Sequence, residues 1–184
     1  VSLVMLALIA TGFALSSVSR PRSQETGGHA EILLATGLSR LRWLGGQVAV
    51  CVIGVVVVVV AGGVGLGAGY ALVTGDRGGF ARLAVPMLAY VAPILVTVGL
   101  GVLIYGVLPR AIAAVWAVLA YATLVLLFGE VFQLPDWLRG LSPFDHLALT
   151  PAEDFRWAPF VVLLALAAAL GGIGAFAFTR RDIG

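Results

Sequence analysis

The chain has 184 residues, of which 61% are apolar and only 11% charged, with a mean hydropathy of +1.09. Soluble domains are about half apolar and about a quarter charged, so this composition excludes an ordinary soluble globule or a disordered tail. The net charge is +2, and all 11 basic residues are arginine. The absence of lysine excludes a phosphate loop, a Schiff base and a Ser-Lys dyad. The single Cys51 excludes an internal disulfide and a cysteine metal cage. The positive charges are too few and scattered for a nucleic-acid surface.

The chain starts at Val1 and is apolar at once, with no basic n-region of a signal peptide. It reads as a chain from which upstream sequence is missing. A helix needs about 20 apolar residues to cross about 30 Å of hydrocarbon. Five stretches qualify: Val1–Val18, Leu44–Thr74, Leu83–Leu108, Ala111–Val131 and Pro159–Phe178. The second would reach about 46 Å as a helix, so it must tilt or project. Its Val55–Val60 run has strand propensity, but an open strand would leave backbone groups unsatisfied in lipid. The third carries Pro86 and Pro93, which predict a kink in its first half. The expected fold is an all-α membrane protein built as a bundle of five transmembrane helices in one domain.

The links sort by charge. Ser19–Trp43, Arg110 and the tail share one side and carry seven arginines, whereas the other side carries four. The positive-inside rule puts the seven, and the C-terminus, in the cytoplasm of a multi-pass plasma-membrane protein. Trp43, Trp137 and Trp157 fall at span edges, where indoles sit at headgroup level. In the outer link (132–158), Pro135–Gly140 predicts a short interfacial helix. Trp137, Leu138 and Leu141 would lie in the headgroups, with Asp136 and Arg139 facing water.

Few residues could carry chemistry. Gly62–Tyr70 reads GGVGLGAGY but lacks the strand and later acid of a dinucleotide loop. Gly63/Gly67 and Gly65/Gly69 are each four apart, a spacing that lets another helix approach. His29 and His146 lie in links on opposite sides and cannot share a metal or haem; no HExxH or GxSxG pattern occurs. No catalytic, cofactor or metal site is expected, and no enzyme. No span interior carries Asp, Glu, Arg or His, and Glu130 lies at the outer end of the fourth span. Tyr90, Thr97, Tyr105 and Tyr121 are the candidate polar tips of an otherwise apolar pathway, which suits a hydrophobic substrate.

The link Ser19–Trp43 is the most informative. Ser23 or Thr26 can cap a helix with Glu25 and Glu31 near its positive end; Gly37 can stop it, and Ser39 can cap the next. Ala30, Leu33 and Leu34 form one stripe and Ile32 points nearly opposite. Such a helix has two faces to bury, one on the bundle and one on a partner protein or in the headgroups.

The run Ala30–Trp43 (AEILLATGLSRLRW), preceded by Glu25, resembles the cytoplasmic loop of ABC-2-type exporter permeases. The chain is closest to the actinobacterial polyketide-antibiotic or tetronasin exporters. Ser142-Pro143-Phe144, an apolar span and a terminal Arg180-Arg181-Asp182 recur there in the same order. The resemblance implies six helices per permease half, two fused halves, and a coupling helix that docks on a separate ATP-binding-cassette ATPase. The five spans would be helices two to six of the second half. The partners implied are that ATPase, the missing N-terminal permease half or a second permease copy, and the lipid bilayer, with no nucleic acid. Glu25, His29, Glu31, Ile32, Leu33 and Leu34 would couple to the ATPase. Gly37 stands where proline is common, and the acidic cluster is thinned to Glu25. The expected function is outward movement of a hydrophobic or amphipathic antibiotic, drug or lipid-like compound. The alternative is a non-transporting membrane scaffold or sensor; a membrane enzyme has no supporting constellation.

Overall fold

A computed structural model of the protein describes residues 2–26, 40–128, 132–146 and 156–180. In chain order these form α1 (Ser2–Thr26), α2 (Arg40–Thr74), α3 (Arg77–Met87), a 3-10 turn (Leu88–Tyr90) and α4 (Val91–Val107). A second 3-10 turn (Pro109–Ala111), α5 (Ala114–Phe128), α6 (Asp136–Arg139) and α7 (Trp157–Arg180) follow. No strand occurs among the described residues. Ser2–Ser19, Leu41–Thr74, Gly78–Val107 and Trp157–Arg180 are long and apolar enough to cross a membrane. Ala114–Phe128 is apolar but shorter, about 22 Å at 1.5 Å per residue. The protein is an all-α membrane protein.

Several boundaries differ from the sequence reading. α1 continues past Val18 to Thr26, so Ser23 lies inside it and not at the start of a separate helix. Arg, Gln and Glu in this stretch are good helix formers and carry the helix out of its apolar part. The coupling segment beyond Thr26, with His29, Glu31, Ile32, Leu33 and Leu34, lies outside the described residues, as do Gly37, Ser39 and Glu130. α2 holds the valine run as helix and is about 52 Å long. Pro86 and Pro93 flank the 3-10 turn Leu88–Tyr90: each removes a backbone donor, and the third span is interrupted there.

α2 and α3 form an antiparallel hairpin. Gly75 closes α2 with φ +73°, a left-handed conformation that glycine adopts without strain, and its N–H donates to the Ala71 carbonyl at 2.9 Å. Asp76 then caps α3 by accepting from the Gly78 N–H at 2.9 Å. A methyl placed on Gly67 would lie 2.7 Å from the Phe80 carbonyl oxygen, and one on Gly63 2.9 Å from that of Ala84. These two glycines let α3 lie against α2. Gly65 and Gly69 do not share the role: no heavy atom of a neighbouring element stands within 4 Å of a methyl on either. Two positions along a helix turn the side chain by about 200°, so the two pairs face opposite ways.

α4 is the hub, packed against α1, α2, α5 and, most extensively, α7. Along the α4–α7 seam Gly99 faces Ala167, and Gly106 faces Gly174. Both numbers rise together, so the helices run parallel, with small residues seven apart on each. A methyl on Gly99 would lie 2.6 Å from the Ala167 carbonyl oxygen. One on Gly174 would lie 2.5 Å from that of Val102, and one on Gly106 would collide with that of Gly174. Backbone meets backbone here, as small residues allow between helices in lipid. At one end of the seam Phe178 stacks between Trp43 and Tyr105, with ring centroids 6.0 and 5.4 Å away. Trp43, read from the sequence as a span-edge indole, is 7% exposed and packs into the core.

Candidate functional site

Among the described residues, grooves are left where a solute could lodge. α2 closes on α4 and α7 at the Trp43–Phe178–Tyr105 cluster, then leaves α7 to pair with α1 and α3. Between α2 and α7 lies a groove of about 320 Å³ floored by Leu95, Val98 and Val102 of α4. Val48 and Val52 form one wall, and Leu164, Ala168, Gly171 and Gly172 the other. Every lining residue is apolar. No neighbouring element comes within 4 Å of a methyl on Gly171 or Gly172, so their missing side chains widen the groove. Ligand pockets of about 300–1,000 Å³ with apolar walls suit drug-sized molecules. This one has no fixed polar group to set orientation, which favours tolerance of shape over selectivity. A small cavity lies just behind it, where Ser17, Gln47, Cys51 and Tyr105 meet.

A second groove, of about 570 Å³, lies at the Gly75 end of α2, beside Ser2, Gly65, Gly69, Tyr70 and Thr74. It sits at one end of the spans, whereas the first lies along the middle of α4. A passage across a bilayer must traverse that middle.

The polar tips read from the sequence are dispersed. Tyr105 is 1% exposed, lines the small cavity and stacks on Phe178. Thr97 is buried and donates to the Pro93 carbonyl at 2.9 Å within its own helix. Tyr90 is buried in the 3-10 turn. Tyr121 donates its hydroxyl to the Leu138 carbonyl, away from the groove. Among the described residues no group of three or more His, Cys, Asp or Glu could hold a metal ion. Sequence reasoning missed the groove glycines, Gly171 and Gly172, and the seam beneath them. The signal present was the recurrence of small residues at a seven-residue interval in two different spans, Gly99/Gly106 and Ala167/Gly174.

Residues 1–179 match a family model described as the C-terminal domain of the multidrug efflux system permease Rv1217c. The chain belongs to this family. It is 36% identical over 184 residues to the multidrug efflux system permease protein Rv1217c of Mycobacterium tuberculosis (strain ATCC 25618 / H37Rv). That alignment covers 97% of this chain and 33% of the relative, so the chain spans about a third of the length of the curated relative it matches. The family is that of a membrane permease of an efflux system, in keeping with the apolar helices.

Proposed function

We propose that the chain is the C-terminal membrane part of an ATP-driven ABC exporter, moving a hydrophobic or amphipathic compound outward across the plasma membrane. The proposed substrates include polyketide antibiotics of the tetronasin kind. The observation that carries this reading is membership of a multidrug efflux permease family over nearly the whole chain. The apolar groove between α2, α4 and α7 supports it, because its walls suit a molecule drawn from the bilayer. ATP would be hydrolysed outside these 184 residues, which hold no lysine and so no phosphate loop, and the ATPase is proposed to be a separate subunit.

In this mechanism the ATPase pair closes on ATP and pushes the coupling segment, with Glu25, His29, Glu31, Ile32, Leu33 and Leu34 as its contacts. The push tilts α1 and α2, which continue directly from that segment, against the α4–α7 pair. The groove between α2 and α7 then changes width, and its occupant is released. The free energy comes from ATP; the helices convert it through the differing packing of two states. Tyr105, beside the small cavity, is the polar tip best placed to meet a solute; Tyr90, Thr97, Tyr121 and Glu130 are assigned supporting places along the spans. The arginine bias orients the C-terminus inward.

The test uses inverted membrane vesicles carrying the full-length permease and the neighbouring ATPase. ATP should drive accumulation of a fluorescent amphipathic dye, and a hydrolysis-dead ATPase should abolish it. Stable association of the two proteins without dye movement, for any of a panel of substrates, would favour a scaffold or sensor instead.

A further inference from the structure

The small cavity behind the apolar groove carries the polar side chains that the groove lacks. Three helices wall it: Ser17 comes from α1, Gln47 and Cys51 from α2, and Tyr105 from α4. Val48 and Val102 line both spaces, so they form the partition between them. The cavity lies at one end of the groove. Leu95, toward the groove's other end, is seven residues from Val102, about 10 Å along α4. Gln47 stands seven residues into α2, and Tyr105 two residues from the end of α4. In the proposed orientation the cavity is therefore at the cytoplasmic end of the groove. Its volume of about 10 Å³ is close to the room that one water molecule or one hydroxyl group needs.

The chemistry of this cavity is uncharged. Gln47 brings an amide and Tyr105 a phenol, and each of these groups can both donate and accept. Ser17 donates to the Phe13 carbonyl at 3.0 Å within its own helix, so it meets a ligand as an acceptor. Tyr105 is buried with its ring stacked on Phe178, so packing sets its position. No Asp, Glu, Arg or His lines the cavity or the groove. A charge buried there without a partner would cost far more than a hydroxyl that finds hydrogen bonds. The aromatic rings nearby are engaged with one another, Phe178 lying between Trp43 and Tyr105.

We propose that groove and cavity form one recognition site for an amphipathic molecule that places an apolar body in the groove and a single uncharged hydroxyl in the cavity. Gln47 and Tyr105 receive the hydroxyl, with Ser17 as acceptor, and it reaches them between Val48 and Val102. Ser17 and Gln47 stand on α1 and α2, the two helices that the coupling segment joins, so the hydroxyl sits between the helices that the proposed mechanism moves. This names the substrate class of the exporter reading and rests on that reading for transport; the preference in binding does not.

The test uses the full-length permease in nanodiscs and three probes that share a pyrene body: 1-pyrenebutanol, 1-butylpyrene and pyrenebutyl-trimethylammonium. Saturable binding is compared at equal probe concentration in the lipid. The alcohol should bind about fivefold or more tighter than the hydrocarbon, as one net hydrogen bond gives, and the ammonium no tighter than the hydrocarbon. Gln47→Leu combined with Tyr105→Phe should bring the ratio of alcohol to hydrocarbon affinity close to one. Ser17→Ala should lower the same ratio, and it decides the point should the double variant not fold, which melting temperature checks. Equal binding of alcohol and hydrocarbon, tighter binding of the ammonium, or a preference that survives the substitutions would overturn the site. The probes are then offered, with ATP, to inverted vesicles carrying the permease and the neighbouring ATPase, where uptake should follow the same order. A binding preference without ATP-driven uptake of any probe would leave the site standing and defeat the exporter reading.

Discussion

Glycine is used in two contrasting ways in this bundle. α2 concentrates its glycines in GGVGLGAGY: Gly63 and Gly67 seat α3 and Gly62 meets Leu6 of α1, while Gly65 and Gly69 face open space. α4 and α7 instead set Gly99, Gly106 and Gly174 at backbone contact, while Gly171 and Gly172 of α7 border the groove. What gives a glycine its packing value is therefore the helix opposite it, not the density of glycines around it. The α2–α3 contact lies at the end of a hairpin, where the helices can shift apart. The α4–α7 seam is the most extensive helix pair, with backbone against backbone at three glycines, so it has less room to adjust.

The contrast can be broken most directly at Gly106. Gly106→Val places a branched side chain against the Gly174 carbonyl and should destabilise the permease by about 3 kcal/mol or more, by overpacking. Thermal unfolding of the full-length protein in detergent would show it as a large loss of melting temperature. A melting point within error of the parent would mean that α4 and α7 are not in backbone contact. Gly67→Ala, 2.7 Å from the Phe80 carbonyl oxygen, should cost less, ~1–2 kcal/mol, because α3 can move outward. Gly65→Ala should have the opposite sign. With open space for the methyl and a better helix former in place of glycine, it should stabilise by ~0.5–1 kcal/mol. Equal losses at Gly65 and Gly67, measured in the same assay, would contradict the facing assigned to α2.

Much of this fold was legible in the sequence because it rests on local rules. Apolar run length marked four helices long enough to cross a membrane and a fifth, Ala114–Phe128, that is shorter than its apolar run, and Pro86 with Pro93 marked the break between α3 and α4. Pro135 and Gly140 marked α6, where they occupy the two caps. What escaped rests on distant contacts. Trp43 stands at a span edge by position but is drawn into the core by Phe178. The packing of residues 132–146 against α5 includes the hydrogen bond from Tyr121 to the Leu138 carbonyl 17 residues later, which no periodicity announces. α1 ran on past its apolar part because helix propensity outlasts hydropathy. Of the candidate site, the apolar character was legible from the absence of ionisable residues in the spans. The groove was not, because it arises where α2 diverges from α7, and divergence is a property of three packed helices.

In the proposed exporter mechanism, the groove between α2, α4 and α7 is the path of the apolar compound. The most direct measurement compares Gly172→Trp with Gly65→Trp in ATP-driven dye uptake by inverted vesicles. Both glycines have open space around them, so both variants should fold, which melting temperature checks. Gly172 lies in the groove, and Gly65 beside the other one at the end of α2. The account predicts that the indole at position 172 cuts uptake at least about tenfold, a barrier of ~1.4 kcal/mol or more, while the one at 65 leaves it near the parent rate. Undiminished uptake with the groove filled at 172, or loss at 65 alone, would contradict it.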